Sequence, residues 1–595
     1  MFDNFLIHTF HDGNCLQAYK IFGAHFETHE GKKGVRFTTY APNARSAQVV
    51  GEFNQWGETP CYMERYNNGG IYTIFVEGVK EFDMYKFRFE TPQGDIIDKA
   101  DPYAYFSELR PGTASKVYNM EGYRWHDSKW IKNRTKNYDC PLNIYEASLG
   151  SWKMKRESEG EGDDGEYYSY EELIDEIIPY VKKMGYTHLE VMPLTEFPFD
   201  GSWGYQATGF YSATSRYGQP KQLMKFIDAC HQEGIGVIMD FVPAHFVKDS
   251  HGLHMYDGGF VYDYNDYNRR YSPWDSVYFD LGKNEVRSFL LSSVEFFATY
   301  YHIDGFRFDA VSNLIYYEGN KNLGENIGAM EWMKRLNGHM SGYHPTVMMI
   351  AEDSTDYPGV TKPVGEHGLG FDYKWDLGWM NDTLKYFQED PVYRQYDSRF
   401  ITFSMAYFYS ERFLLEFSHD EVVHGIPGKR KLKNGDIITL DIGACYKGYH
   451  GDSAWTYPVG KISPAKEKLL HDTEESLFVG LSTIKEGAHV GDIGYAIEQY
   501  AHKHNLGVVE ELCGHGVGTA VHEDPDVPNF GIKGSGPVLK AGMVIAVEPM
   551  LNMGTPNIYM LDDDWTIITA DGMPSAHFEH TVVVTKEGYT ILTKR

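Results

Sequence analysis

The chain has 595 residues, 23% of them charged and 15% aromatic, with 45 Tyr and 35 Phe. At roughly 100–200 residues per domain, that length implies about three or four domains. A formal charge of −29 argues against nucleic-acid or anionic-membrane partners, because phosphate binding needs clustered Lys and Arg.

The N-terminus, MFDNFLIHTFHDGN, lacks a basic start followed by an apolar run, so no signal peptide is expected. No apolar run approaches the ~18 residues of a membrane helix. Cys15, Cys61, Cys140, Cys230, Cys445 and Cys513 form no CxxC pair and offer no disulfide or zinc framework, which fits a reducing cytoplasm. Residues 1–18 read as an extension. Residues 19–125 alternate apolar and polar residues between Gly, Asn and Pro turns, as in GIYTIFVEGVKEFDMYKFRFETPQGD, and predict a β-sandwich. The aromatic surplus suits either a core or the stacking of rings on sugars. An acidic loop, KRESEGEGDDGEYY, covers 155–168.

From about residue 143 strands and helices alternate. NIYEASLGSW, THLEVMPLTEF, GIGVIMDFVPAH, GFRFDAVSN and TVMMIAEDS each run apolar and end polar. A sixth strand is expected near LGFDYKWDLGW and a seventh at RFLLEFSHD; no eighth is recognisable. Ser169 and Glu172 have capping-box spacing ahead of an amphipathic helix that Gly185 is placed to stop. Repeated strand–helix units with charged residues at the strand ends predict a TIM barrel over 126–425 that lacks its last unit. After Gly425 the texture becomes α+β. NGDIITLDIGACYKGYHGDSAWTYPVG reads as a hairpin, TEESLFVGLSTIKEG and DIGYAIEQYAHKHN as helices, and GMVIAVEPM and HFEHTVVVTKEGYTIL as strands. Residues 426–595 form this last domain, and no Pro/Ser-rich linker precedes it.

Two sets of residues carry chemistry. The first sits at successive barrel strand ends: Asp240 and His245, Arg307 and Asp309, Glu352 and Asp353, His419 and Asp420. A barrel brings these to one face, and three convergent carboxylates fit glycosidic chemistry. Arg307, two residues before Asp309, is expected to keep it ionised. The second set is Asp441, Asp452, His515, Glu548 and Glu579. Four carboxylates and one imidazole make a hard, anionic pocket suited to two divalent metals sharing bridging carboxylates.

MDFVPAH, GFRFDAVSN, AEDS and FSHDE resemble the four signature regions of the α-amylase superfamily, and residues 1–425 resemble a bacterial-type glycogen branching enzyme. The resemblance implies Asp309 as nucleophile, Glu352 as acid/base and Asp420 as transition-state stabiliser. His245, Arg307 and His419 would contact the sugar at the cleaved bond, with Asp240 supporting the site. PLTEFPFDGSWGYQATGFYSATSRYG places Tyr205 and Gln206 beside that sugar, and the sandwich resembles the family's carbohydrate-binding module. The implied partner is glycogen or another α-glucan, with no cofactor. Glu416 departs from the Pro or apolar residue commoner in that seventh strand.

The ordered set D…HGD…GHGxG…HE…EPM…EHT makes residues 422–595 similar to type I methionine aminopeptidase, an α+β pita-bread fold. This implies Asp441, Asp452, His515, Glu548 and Glu579 as ligands of two divalent metals (Fe, Mn, Co or Zn), with Asp452 and Glu579 bridging. His522 would contact the substrate amide, Glu548 could shuttle a proton, and His424 in VHGIP would help position the substrate, a nascent polypeptide N-terminus. Both resemblances are incomplete and meet at the word EVVHG. The chain therefore reads as a fusion of branching enzyme and aminopeptidase. The alternative is a chimera joined by recombination, cloning or faulty assembly, with one or both activities lost and at most glucan binding retained.

Overall fold

The computed structural model describes residues 3–156, 166–388, 394, 397–419, 434–446, 448–560 and 567–594. It divides into two compact units, Met1–Val422 and Val423–Arg595, a boundary inside EVVHG. Asp420 and His424 lie outside the described residues.

Unit 1 begins with helix Asn4–His11, capped by the Asp3 carboxylate on the Phe5 N–H. Residues 3–20 are fastened to helix Asn284–Tyr300, where the Ser288 and Ser292 hydroxyls accept from the backbone N–H groups of Cys15 and Tyr19. Two antiparallel sheets follow. One is ordered Gly23–His29, Lys32–Tyr40, Ile71–Glu77, Glu64–Arg65; the other Ser46–Gly51, Met84–Glu90, Ser115–Lys116, Phe106–Ser107. In MYKFRFE the buried residues Tyr85, Phe87 and Phe89 alternate with half-buried ones, as a pleated strand with one core face requires. Tyr85 meets Phe37 of the facing sheet at 4.9 Å between ring centroids. The aromatic surplus is largely core: Tyr19, Tyr85, Tyr170, Tyr211, Tyr256 and Tyr301 are among the largest fully buried side chains.

The second part of unit 1 is a seven-stranded parallel sheet in sequential order: Ile144–Ala147, His188–Val191, Gly236–Phe241, Gly305–Phe308, Met348–Ala351, Tyr373–Trp375 and Phe413–Leu414. Strands two to six are buried along their whole length, because helices cover one face and side chains of the sheet's concave side the other. Helices follow strands one, two, three, four and six. After the fifth, the described residues hold only the short 3-10 turn Val364–Glu366, where strand–helix alternation had been expected. The helix after strand one carries the expected signals: Ser169 accepts from the Glu172 N–H, Glu172 reaches back to Ser169, and Gly185 adopts the left-handed conformation at φ 80°. The sheet curls, since His419, just past strand seven, donates its backbone N–H to Glu146 of strand one at 2.8 Å.

Beneath the sheet His231 is fully buried between Asp127 and Asp304, at 3.0 and 2.8 Å. Burial opposes its charge, but Asp304 and Asp127 outweigh that and raise His231 to about 9. Burial likewise opposes ionisation of the two carboxyls, yet His231 holds both well below the usual carboxylate range. A raised His stabilises fully below its ordinary value of 6.5, and that stabilisation is lost as pH rises through about 9. The depressed carboxyls stabilise above their ordinary 3.8, and lose that as pH falls. Unit 1 is therefore expected to melt at lower temperature at pH 9 than at pH 6. His231→Gln should flatten this alkaline decline in Tm; an unchanged slope would remove the triad as its cause.

Unit 2 contains a five-stranded antiparallel sheet ordered Glu523–Pro528, Cys513–Gly516, Val544–Val547, His580–Val584, Tyr589–Ile591, and a smaller one of Gly507–Val508, Met550–Asn552 and Ser575–His577. Strand Ile437–Asp441 pairs with Ala454–Pro458, and Ala444–Tyr446 with Tyr449–Gly451, which is the expected hairpin. Helices Pro464–Leu481 and Val490–Lys503 pack closely at Gly480, where a Cβ would fall 2.8 Å from Ile497. Leu477, Leu481, Ile493 and Ile497 join the sheet residues Ile545, Val547 and Val582 in one core. No helix among the described residues is long and apolar enough to cross a membrane.

Candidate active sites in the two units

In unit 1 the strand ends converge on Arg307. Its guanidinium lies 3.1 Å from Asp240, 3.0 Å from Asp309 and 3.0 Å from Glu352. It also stacks on Trp375, 4.2 Å from the ring centroid. Strand pairing sets these positions: Asp240 is in register with Arg307, and the Asp309 and Glu352 N–H groups bond to Phe241 and Phe308 of the preceding strands. Glu352 accepts from the Ala310 N–H at 2.9 Å. Tyr205 donates its hydroxyl to Asp240 at 2.5 Å, and its ring stacks on His419 at 5.2 Å. His245 is buried against Trp274 at 5.2 Å, and Gln206 donates to the Trp274 carbonyl at 3.1 Å. Asp353 is elsewhere, in an ion pair with Lys374 at 2.8 Å. Glu416 accepts from the Asp376 N–H at 2.9 Å.

The electrostatics differ from expectation in one respect. Burial and the Glu352 carboxylate push Asp309 up to about 8 despite Arg307. One guanidinium shared by three carboxyls cannot keep them all ionised, so the Asp309–Glu352 pair retains a proton. Burial also raises Asp240 to about 6, against Arg307 and with Glu146. It lowers His245 to about 4, which keeps that imidazole neutral. Sequence reasoning missed Glu146, which binds both the backbone N–H and the ring Nδ1 of His419 at 2.8 Å. It also missed Glu190, whose carboxyl is pushed well above the usual carboxylate range by burial and by neighbouring Asp240. The available signal was an acid inside each of two otherwise apolar strands.

In unit 2 the hairpin and the sheet bring the second set together. Asp452 is clamped to Thr581, whose hydroxyl accepts from its N–H at 2.8 Å and donates to its carbonyl at 2.7 Å. The Glu579 N–H bonds to the Ala454 carbonyl at 2.8 Å. The His515 Nδ1 bonds to the Gly516 carbonyl at 3.0 Å, which leaves Nε2 facing Asp452 and Glu548, each at 3.9 Å. His522 is exposed, with its ring 4.2 Å from His515. Ligand-type atoms of Asp452, His515 and His522 lie within 4.8 Å of one another, as do those of Asp441, His577 and Glu579. His577 was not foreseen. Its Nε2 lies 3.1 Å from Glu548, and Thr456 grips its backbone, donating to the carbonyl at 2.8 Å and accepting from the N–H at 2.9 Å.

These residues fit a divalent metal centre. Glu579 is buried, and its Oε1 has no hydrogen-bond partner among the described residues. Burial and the charges of Asp452, Glu548 and Asp441 raise its carboxyl to about 10. Asp441 is raised by partial burial, opposed by His577 and reinforced by Asp452 and Glu548. Such a crowd of carboxyls must hold protons or cations, and the oxygen and nitrogen donor set suits the latter.

Three families match the chain: carbohydrate-binding module 48 (isoamylase N-terminal domain) over residues 21–104, the alpha amylase catalytic domain over 171–268, and metallopeptidase family M24 over 408–586. The 1,4-alpha-glucan branching enzymes of Bacillus caldolyticus and Bacillus subtilis (strain 168) are 51% and 48% identical over 431 residues, 72% of this chain. The chain spans 63% and 67% of those proteins' own lengths. Crystal structures of methionine aminopeptidase from Rickettsia prowazekii and Thermotoga maritima are 42% identical over 29% of this chain and over 69% and 70% of theirs, with a TM-score of 0.28. The chain thus belongs to the 1,4-alpha-glucan branching enzyme family, and carries over its residues 408–586 a match to metallopeptidase family M24.

Proposed function

We propose that unit 1 performs retaining transfer of α-1,4-glucan chains of the branching type, with glycogen-like α-glucan as donor and acceptor. The observation that carries this reading is Arg307, within 3.1 Å of Asp240, Asp309 and Glu352. Asp309 attacks the anomeric carbon and forms a glucosyl ester, while Glu352 gives its proton to the departing glycosidic oxygen. Glu352 then takes the proton of an incoming 6-hydroxyl, whose oxygen displaces Asp309 at the same carbon; two inversions retain the α configuration. The cycle requires Asp309 ionised as it attacks and a proton on the acid that meets the departing oxygen. Tyr205, Gln206, His245 and His419 hold the sugar at the cleaved bond, Asp240 braces Arg307, and Asp420 completes the carboxylate set. Residues 21–104 hold glucan chains.

The finer architecture we propose is a (β/α)8-type barrel without its last unit, with residues 1–18, 19–125, 126–425 and 426–595 as successive segments. Its consequence is slow branching, because open strand edges leave the acceptor side poorly fixed. The test is incubation with amylose, enzymatic debranching and measurement of chain lengths. Glucan binding with few new α-1,6 branches is expected; robust branching refutes the open barrel, and no glucan binding refutes the glucan reading.

A second reading is favoured for unit 2 by the convergence of Asp441, Asp452, His515, Glu548 and Glu579 around a carboxylate oxygen that has no hydrogen-bond partner among the described residues. It is a divalent-metal aminopeptidase that removes the first Met from protein N-termini. Bound metals would supply Lewis-acid polarisation of the scissile carbonyl and of the attacking water. His522 donates to the substrate amide, Glu548 relays a proton to the leaving amine, and His424 positions the substrate. Met release from a Met-Ala peptide, dependent on added metal and absent in His515→Ala, tests this reading. An intact-protein mass spanning both units separates a single fused chain from a chimera that exists only as sequence.

A further inference from the structure

Outside both sites, the outer helices of unit 1 carry a cluster that neither reading uses. Glu295 lies on helix Asn284–Tyr300, His339 on helix Ile327–Tyr343, and His344 caps the latter's C-terminus. Both imidazole Nε2 atoms lie 2.9 Å from the same oxygen, Glu295 Oε2. The other oxygen, Oε1, accepts from the Thr299 hydroxyl at 2.9 Å. The side chains of Glu295, His339 and His344 are 9%, 10% and 20% exposed. The Tyr343 ring stacks on His339 at 4.6 Å, fixing that imidazole's plane. We propose that Glu295, His339 and His344 form a zinc-type metal site that clips these two helices together.

Three features argue for it. First, the donor set of two imidazoles and one carboxylate suits zinc and its neighbours in the transition series, and not calcium or magnesium, which take oxygen ligands. Second, the three ligand atoms already lie within 4.8 Å of one another. Tetrahedral zinc, with bonds of about 2.0–2.1 Å, holds its ligand atoms about 3.3 Å apart. The observed 2.9 Å contacts therefore need to open by only a few tenths of an ångström. Third, Thr299 holds the carboxylate from behind, as second ligand shells do, and the part-exposed His344 leaves a fourth position for water. Without metal the same geometry is satisfied by two imidazole N–H groups donating to one carboxylate, so the test must separate metal from protons.

The experiment uses the full chain with Asp441→Asn, Asp452→Asn and Glu579→Gln, so that unit 2 does not contribute. After chelation and dialysis against zinc, about one zinc per chain is expected by elemental analysis, falling to near zero when His339→Gln is added. Cobalt should give the intense visible bands of a tetrahedral site, lost in the same variant. Circular dichroism and amylose binding report whether His339→Gln remains folded. If it does not, the cobalt spectrum of the parent decides, since weak octahedral bands overturn the proposal. So does zinc that stays unbound, or that survives His339→Gln and His344→Gln alike.

Discussion

Glu352→Gln is expected to slow cleavage of α-1,4 bonds about 10²–10⁴-fold, the usual worth of a positioned general acid. The amide keeps the size of the side chain and can still meet the Ala310 N–H that holds Glu352 at 2.9 Å. What it lacks is the proton for the leaving oxygen. Asp309→Asn should have a different signature. An activated fluorinated glucosyl donor should leave a covalent mass increment on the unchanged chain and on Glu352→Gln, and none on Asp309→Asn. The pH dependence follows from the shared proton. Asp309 sits at about 8 because burial and Glu352 raise it. In free enzyme the pair loses its proton as pH rises through that region, and cleavage should fall there. A Glu352→Gln variant that cleaves at the parent rate would assign the acid role to another group.

Asp452→Asn and Glu579→Gln should each weaken divalent-metal retention by at least the about 10–100-fold seen when metal-supporting groups are removed, with Met release lost in parallel. The reason lies in charge. Glu579 moves from its ordinary 4.5 to about 10, because burial comes on top of three neighbouring carboxylates. Metal must displace that proton, so apparent affinity should rise with pH up to about 10. In the metal-free chain the sign is opposite for stability. A carboxyl raised on folding stabilises fully below its ordinary value of 4.5, and that contribution is lost as pH rises towards 10. Metal-free unit 2 should therefore melt earlier at alkaline pH, and added metal should restore most there. Titration with Mn(II) or Zn(II), read by calorimetry with proton release and by Tm, checks both halves. Metal affinity independent of pH would mean that Glu579 is not a ligand.

Much of this protein was legible before folding because the relevant forces are local or periodic. Ser169, Glu172 and Gly185 mark their helix by hydrogen bonds and a left-handed turn within one segment. Strands two to six are visible as largely apolar runs because strands covered on both faces bury most of their side chains. Their polar ends announce the carboxylate cluster around Arg307, since parallel strands deliver their C-terminal ends to one side. The remainder depends on residues distant in sequence meeting at low dielectric. Burial and the Glu352 carboxylate outweigh an Arg307 shared by three carboxyls, so Asp309 is raised rather than held ionised. Glu146 meets His419 across 273 positions because the sheet curls. His577 reaches Glu548 because its strand pairs with Met550–Asn552, which starts two residues past Glu548, and Glu295 gathers two imidazoles because two helices lie side by side. Residue type and position along the chain named the candidate carboxylates and imidazoles and most of the elements that carry them. Their protonation and partners were set by folding, because burial and through-space charge have no period along a chain.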